Sequence, residues 1–394
     1  MSSNPLSGDR PGAFTRSRLT LLAYGMATAF GFGVAALGPA MPSLREDLGI
    51  SRTIGGLHFT AIAGGSVVAG LAVGRIIARW GRRRVFWWGG AGTAAGALLI
   101  GLGGHPAVTL TGGLLIGALG AMMMAVTQAT VADEQPLHRA VALTELSTSM
   151  SVGTVIPALL IGASLAIGAG WRPAFVVPAA IWTALLLLRR AEGFPPTNPP
   201  EVRGVRWPLP AAHWFFWAAF IPAVAAEWSV GSWGAGYLVD VAGTREGTAS
   251  LLMSIFFGAM VAGRVVGSRI ARTLSPFPLL LGATATGMGG VLLFWGSTSV
   301  VPVVGGLLLA GLGISMLFPM LLSLGMATAP DRSDLVSSRV FIAAGGATMI
   351  APLALGAIAD QVGIRTAFSV VPGLFLLVAL LAALGNRAGR PESA

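Results

Sequence analysis

The segment VAGLAVGRIIAR at residues 68–79 returns 193 residues later as VAGRVVGSRIAR at residues 261–272. Eight of the twelve aligned positions are identical, including two glycines and the final arginine. Two further pairs have the same offset: GGLLIGALG at 112–120 with GGLLLAGLG at 305–313, and GWRPAF at 170–175 with GIRTAF at 363–368. Three matches in one order and at one spacing predict a duplication of about half the chain.

The composition predicts a membrane protein. Hydrophobic residues make up 54% of the chain and charged residues only 10%, against about 25% charged in a typical soluble protein. So few charges cannot cover the surface of a water-soluble globule, so an apolar solvent must surround much of the chain. The 56 glycines suit close packing of membrane helices through small residues.

Charge and cysteine content exclude several classes of protein. The net charge of +10 comes entirely from arginine, and the arginines lie mostly between apolar runs. They form no exposed basic surface of the kind that binds nucleic acid. Cysteine is absent, which excludes disulfides, thiol chemistry and cysteine metal sites. We expect no metal and no cofactor.

Twelve apolar runs have the length of a spanning helix, since about 20 residues at ~1.5 Å rise cross a ~30 Å hydrocarbon core. The chain is therefore predicted to be an all-α membrane protein with 12 transmembrane helices. The runs are 19–41, 53–78, 86–103, 107–131, 140–163, 171–188, 212–238, 248–270, 277–297, 301–327, 340–358 and 366–385.

A polar segment divides these runs into two sets of six. Residues 189–211 are rich in proline and charge, a composition that prevents a helix. We therefore predict an N-terminal six-helix bundle at 1–188, a cytoplasmic linker at 189–211 and a C-terminal bundle at 212–394. An even number of spans per half makes the repeats parallel and permits a cavity between them at the midplane.

The distribution of arginine predicts the orientation. With the N-terminus inside, the outer loops hold five of the 25 arginines and the other 20 lie in cytoplasmic segments or at inner helix ends. Positive charge favours the cytoplasmic side, so both termini are predicted to be cytoplasmic in the plasma membrane. The first run is too long for a signal-peptide core and is expected to remain as a span.

With this organisation, the segment GRIIARWGRR at 74–83 resembles the signature G-x-x-x-D-R-x-G-R-R of the major facilitator superfamily of secondary transporters. The segment GWRPAF at 170–175 is similar to that family's entry to helix 6. The resemblance covers essentially the whole chain and implies the major facilitator fold. The sequence departs from the family at Ala78, where the signature has aspartate, and at Gly113, near an arginine often found in helix 4. Two residues of the family's charge relay are therefore missing.

Glu227 is the sharpest functional candidate, because it is the one acid near the middle of a predicted span. A charge there is costly, at about 3 kcal/mol on insertion scales. Desolvation favours the neutral form of a carboxyl group, so such a residue can take up and release a proton. The alternatives are contact with a cationic or polyol substrate, and a structural hydrogen bond between helices.

Other residues are candidates for lining a substrate cavity. Trp228, Trp233 and Tyr237 follow Glu227 in the seventh span, where aromatic rings suit an organic cation or a sugar face; an interfacial aromatic belt is the alternative for the last two. His58 lies about five residues into the second span, near the outer side, and a lone membrane histidine is more often a hydrogen-bonded structural residue than a proton carrier or ligand. The remaining candidates are Tyr24, Gln128 and Phe256.

A cytoplasmic gate is predicted at the inner ends of the helices. Glu145 in the fifth span and Arg264 in the eighth could pair across the two halves, as the resemblance implies, and a pair that breaks on opening would bias alternating access. Arg79, Arg82, Arg83 and Arg339 complete the set. The alternatives are a topology signal and snorkelling to the interface. Gly70 and Gly74 lie four residues apart and permit a close helix crossing.

These features predict a secondary active transporter and no enzyme, because no histidine spacing or Gly-Lys-Ser/Thr loop supports catalysis or ATP use. We expect a monomer that moves a small organic solute by alternating access, coupled to protons, with efflux of amphipathic compounds favoured slightly. Proton-linked uptake of a sugar-like or other neutral polar solute is the alternative, although no asparagine lies in any span. A transport-inactive receptor or scaffold is the alternative of a different class.

Overall fold

The computed structural model describes residues 15–135, 138–189, 193–194, 209–329 and 333–389, without the side chains of residues 140, 189, 333–338 and 341. Most of the predicted linker at 189–211 and both extreme termini lie outside these ranges. The described residues form thirteen helices and no strand, as predicted for an all-α chain. The helices are α1 (Arg18–Ala35), α2 (Leu37–Leu48), α3 (Arg52–Leu102), α4 (Pro106–Glu134), α5 (Arg139–Ala166), α6 (Pro173–Arg189), α7 (Ala211–Asp240), α8 (Glu246–Ile270), α9 (Pro276–Gly296), α10 (Val300–Ala327), α11 (Ser333–Val362), α12 (Ile364–Ala367) and α13 (Val370–Ala388).

Some helix boundaries differ from the predicted spans because proline or glycine interrupts the helix there. The first span divides into α1 and α2, because Pro39 has no N–H to donate to the carbonyl of Ala35. Pro372 has the same effect near the break between α12 and α13. The second and third spans are two helices that meet at a kink at Gly81, with φ 78° and ψ 156°, and they share the label α3. A side chain would strain that backbone conformation, so the turn depends on glycine.

Helix lengths account for twelve crossings of a membrane. Nine helices in the described part of the chain are long and apolar enough to span one by length and composition. One of them, α3, has 51 residues divided by the Gly81 kink, and the part on each side of the kink is long enough for one crossing. The helix α6 has 17 residues, and α7 has 30 but carries His213, Glu227 and four tryptophans that lower its mean hydropathy.

The helix bundle has two opposite ends, which we call the terminal face and the loop face. The terminal face carries the start of α1, the Gly81 kink, the end of α4 and the end of α13. The loop face carries α2, the α5–α6 connection, the α7–α8 connection and the end of α11. Among helices α1–α6, α3 packs on α4 and α6, and α1 packs on α5. Among the later helices, α10 packs on α8 and α9, and α13 packs on α7.

The main contacts between the two sets of helices are those of α3 with α11, α5 with α8, and α2 with α7, and α2 also contacts α8. Near the loop face their backbones touch through glycine. A Cβ atom added to Gly56 of α3 would lie 2.7 Å from the Cα of Leu353 in α11, and one added to Gly162 of α5 would lie 2.9 Å from the carbonyl oxygen of Gly247 in α8. Gly38 of α2 meets the Gly231 carbonyl of α7 in the same way. The absence of a side chain at these positions allows the close approach.

Toward the terminal face, α3 and α11 separate. Thr60 Oγ1 still donates to the Met349 carbonyl at 2.7 Å, but at Gly64 the nearest atom to an added Cβ is the Met349 sulfur at 3.9 Å. At Gly70 and Gly74 no atom lies within 4 Å. The close crossing predicted at these two glycines is therefore absent in this conformation, because the helices have already diverged there.

Charged groups reinforce the contact at the loop face. The Asp360 carboxylate of α11 accepts the backbone N–H of Arg52 at 2.9 Å and of Thr53 at 2.8 Å, and the Thr53 hydroxyl at 2.7 Å. A carboxylate of one helix set thus caps the first turn of α3 in the other. Arg52 Nη2 also donates to Asp240 of α7 at 2.6 Å. These hydrogen bonds of Arg52 and Asp360 were not predicted from the sequence.

A side chain at Gly56 should open the loop face. In Gly56→Val the added atoms collide with the α11 backbone, so α3 and α11 must separate by several ångströms there. The measurement is the distance between spin labels on Gly104→Cys and Val362→Cys in the cysteine-free chain. Gly70→Val, whose side chain enters open space, is the matched control and should leave the distance unchanged. An unchanged distance in Gly56→Val contradicts the close backbone contact.

Removal of the Asp360 cap should weaken the same closure. We expect Asp360→Ala to cost this conformation about 1–2 kcal/mol, since capping and charge-assisted hydrogen bonds are lost together. The same label pair should show a larger fraction of the long distance. Asp47→Ala is the control, because Asp47 bonds Trp171 and Arg172 within the first helix set. If both variants behave alike, the cap does not hold the two sets together.

Candidate functional site

A cavity of about 170 Å³ lies between helices α1, α2, α3, α5, α7 and α8. Both halves of the chain therefore line it. Its wall is mostly apolar, with aromatic rings and methionines. Its polar groups are Ser151 and Thr154 of α5, Glu227 and Ser232 of α7, and Arg264 of α8.

Helix periodicity explains which side chains face the cavity. On α7 the lining positions are 227, 228, 231 and 232, and on α8 they are 256, 257, 260, 261 and 264. Spacings of three to four residues place each set on one face of its helix. Gly231 has no side chain, so α2 can approach α7 there, and Gly38 of α2 contacts the Gly231 backbone. The same face of α7 therefore lines the cavity and makes the contact that closes it at the loop face.

Glu227 lies in the cavity wall and is partly exposed to it. Within the described part of the chain, its carboxylate has no hydrogen bond, and no cationic nitrogen lies within 4.0 Å of it. The structural hydrogen bond considered as an alternative for this residue is not present among those residues. Its neighbour Trp228 also lines the cavity, as does Phe256 of α8. These three cavity candidates come together at one site.

Arg264 also lies in this cavity. Its Nη1 donates to Ser151 Oγ of α5 at 2.9 Å, a bond that joins the two helix sets. In this conformation it does not meet Glu145, which instead receives Nε and Nη2 of Arg16 at 2.8 and 2.5 Å. The hydrogen bond with Glu145 raises the pKa of the Arg16 guanidinium. The two members of the predicted gate pair thus have other partners here.

The remaining gate candidates lie near the terminal face. Arg82 pairs with Asp133 of α4 at 2.6 Å, within its own helix set, and Arg79 and Arg83 are exposed. Arg339 of α11 stacks on the Trp214 ring with its guanidinium carbon 4.7 Å from the ring centre. In this conformation these contacts lie within one helix set or the other.

Five of the predicted cavity residues lie elsewhere, because most of their polar atoms find partners in the protein. His58 Nε2 and Thr109 Oγ1 are 2.8 Å apart between α3 and α4. Trp233 donates to the Pro352 carbonyl at 2.8 Å, and the Tyr237 hydroxyl donates to the Trp295 carbonyl at 2.6 Å. Both aromatic side chains are fully buried, so they form no interfacial belt. Tyr24 bonds the Ala142 carbonyl at 3.4 Å, and Gln128 is exposed on α4.

Sequence analysis did not predict several of the groups that surround Glu227. Met150, Ser151 and Thr154 occupy one face of α5 at helical spacing, and that hydroxyl spacing was an available signal. Arg264 lies eight residues after Phe256, and this spacing in the sequence places both residues on the same face of α8. In the described residues, no group of three or more His, Cys, Asp or Glu side chains could hold a metal ion. The site is thus a mixed apolar and charged cavity.

Comparison with known proteins places the chain among transporters. It is 29% identical over 360 residues to an uncharacterized MFS-type transporter of Yersinia pestis, covering 89% of this chain and 91% of the relative. It is 30% identical over 167 residues to a glucose/galactose transporter of Brucella abortus, covering 42% of this chain and 40% of the relative.

Solved structures share the fold. A bacterial homolog of the human lysosomal transporter Spinster, in an inward-facing and occupied conformation, superimposes with a TM-score of 0.81 at 14% identity, covering 96% of this chain and 99% of that one. A point mutant of the nucleoside transporter NupG superimposes with a TM-score of 0.75 at 12% identity, covering 93% and 98%. The family model of the Major Facilitator Superfamily matches residues 23–338. Because that match spans well over half of the 394 residues, the chain belongs to the Major Facilitator Superfamily, a family of membrane transporters.

Proposed function

We propose that the protein is a proton-coupled secondary transporter that exports amphipathic organic solutes by alternating access. The observation that carries this proposal is the cavity lined by both halves of the chain, in which Glu227 has no partner among the described residues. A carboxyl group left free in a largely apolar cavity is placed to exchange a proton, and the surrounding rings and methionines suit an apolar solute.

Two bundles, residues 1–188 and 212–394, move as rigid bodies in this proposal. Support comes from the asymmetry of their contacts: glycine-mediated backbone contacts and the Asp360 cap lie at the loop face, and α3 and α11 diverge toward the terminal face. Rocking about the cavity would break the contacts at the loop face and bring α3 and α11 together at the terminal face. Gly70 and Gly74 would then supply the close crossing on the other side.

Export follows if proton and solute compete for the same acid. A solute whose cationic group binds ionised Glu227 leaves when a proton arrives, so the inward proton gradient drives the solute outward. The receptor or scaffold alternative predicts binding without flux, and radiolabel counterflow in vesicles separates the two. No cofactor enters this scheme, and a monomer is sufficient because one chain supplies the whole cavity.

Proton-linked uptake of a sugar-like solute is the second candidate. The observation that favours it is the likeness to the glucose/galactose transporter of Brucella abortus over 42% of this chain. The cavity favours export, because no asparagine or glutamine lines it, and sugar sites usually use amide side chains.

The terminal face is proposed to be cytoplasmic, in the plasma membrane. The support is the arginine distribution, with 20 of 25 on that side. The conformation described here is then the inward-facing one, since the closed end is the loop face. This agrees with the inward-facing state of the Spinster homolog.

Single cysteines should report this orientation. A membrane-impermeant maleimide added to intact cells should label Gly104→Cys at the loop face and label Arg269→Cys, at the end of α8, only after permeabilisation. Both positions are exposed, and the parent chain has no cysteine to interfere. The reverse pattern would place the terminal face outside and invert the direction assigned to the structure.

Glu227→Gln should abolish uphill, proton-driven movement while energy-independent solute exchange remains, at solute concentrations raised about tenfold, because the amide binds no proton and has lost the charge that pairs with the solute. A thermal-shift screen of the purified protein against sugars, amino acids, nucleosides and cationic dyes supplies the solute. The assay is accumulation in proteoliposomes with and without a pH gradient. Glu46→Gln, an exposed acid outside the cavity, is the control. Accumulation retained in Glu227→Gln removes Glu227 from the coupling role.

A further inference from the structure

The cavity contains two opposite charges that do not satisfy each other. Glu227 projects from α7 and Arg264 from α8 into the same space. No nitrogen of Arg264 lies within 4.0 Å of a carboxylate oxygen among the described residues. Arg264 uses one of its five N–H donors on Ser151, and Glu227 uses none of its acceptor sites within the same residues. Most of the hydrogen-bonding capacity of both groups remains free.

Glu227 is partly exposed and Arg264 is exposed in this conformation, so the arrangement becomes costly when the cavity closes without a ligand. Charges in an apolar environment lose hydration, and only matched partners repay that loss. A direct Glu227–Arg264 pair would solve the problem within the protein, but the two groups stand apart. Water can serve while the cavity is open, yet an occluded cavity must supply other partners. The arrangement therefore matches a ligand that brings one charge of each sign.

We propose that the transported solute is an amphipathic zwitterion. Its cationic group binds the Glu227 carboxylate, and its anionic group binds the Arg264 guanidinium beside the Ser151 hydroxyl. Its apolar body packs against Phe256, Phe257 and Met150, which line the same cavity. This inference rests on the proposed transport function and names the substrate class for the same site.

Solutes with a single charge fit the cavity less well. A cation at Glu227 would share the cavity with an Arg264 charge that repels it, and an anion at Arg264 would meet the Glu227 carboxylate. A zwitterion pairs both and leaves no net charge to be carried through the apolar space. Its cationic group also occupies the proton site, so substrate and proton exclude each other as export by exchange requires.

Matched ligand sets test the substrate class. Tryptophan carries both charges, tryptamine lacks the carboxylate, and indole-3-propionate lacks the amine. The same three forms exist for an alkyl body as 2-aminodecanoate, nonylamine and decanoate. Calorimetric titration of the protein in lipid nanodiscs at neutral pH measures each affinity. We expect the zwitterion of each set to bind about tenfold or more tightly than either single-charge form, as the loss of one charge-assisted contact implies.

Variants then separate charge pairing from general packing. In Arg264→Gln the preference should move to the amine, because only Glu227 remains charged. In Glu227→Gln it should move to the acid. Arg269→Gln, which removes an exposed arginine of the same helix outside the cavity, should keep the parent order. A structural role for either residue would weaken all three ligands together and would not reorder them.

The inference is overturned if no set binds, if an amine or acid binds the parent protein best, or if the two variants leave the order unchanged. Proteoliposome transport distinguishes this failure from failure of the proposed function. A pH gradient that drives a neutral, cationic or anionic solute uphill would keep the transporter and discard the zwitterion. Binding of the zwitterions without any flux would discard the transporter while keeping the site.

Discussion

The cost of placing polar groups in hydrocarbon governs this structure. Backbone N–H and C=O groups have no water to bond there, so each spanning segment must satisfy its own backbone as a helix. The same cost directs the charged side chains of the described residues, which lie at helix ends, pair as Arg82 does with Asp133, or face a cavity between the two halves as Glu227 and Arg264 do. Helix packing, by contrast, gains little from burial, since lipid is as apolar as leucine.

Small residues take over the role that a hydrophobic core has in water. Backbone contacts at Gly38, Gly56 and Gly162 fix the two halves at the loop face, and dispersion over such a close crossing is lost steeply with distance. The halves are therefore locked at one end by geometry that only glycine permits. The Asp360 cap adds a directional bond at the same end. Farther along α3, the same kind of glycine faces open space, so one helix carries both a closed and an unused crossing.

Sequence predicted the helices well because hydropathy and duplication are properties of single segments. It missed the break between α1 and α2, where one residue decides whether a helix continues, but it placed a boundary between the second and third spans, where Gly81 kinks the chain. The site was harder to predict. Positions on α7 and α8 could be placed on one helix face, and the structure puts Glu227, Trp228 and Phe256 in one cavity. Trp233 and Tyr237 belong to the same helix pattern but bond the carbonyls of Pro352 and Trp295. Partners that come from distant helices cannot be identified by spacing alone.

Arg264 shows that partners from distant helices, which the sequence does not reveal, decide the function of a charged residue. Its position near the inner end of a span suggested a gate with Glu145, an inference from depth and charge sign. Glu145 pairs with Arg16, so it does not draw Arg264 toward the terminal face in this conformation. A guanidinium held by a single hydroxyl, Ser151 Oγ, keeps its other donors for the cavity. The closing of a transporter around its solute requires every charge in the cavity to find a partner, and among the described residues neither Glu227 nor Arg264 has an ion pair. The identity of the missing partner is thus constrained by charge before any contact with a solute is considered.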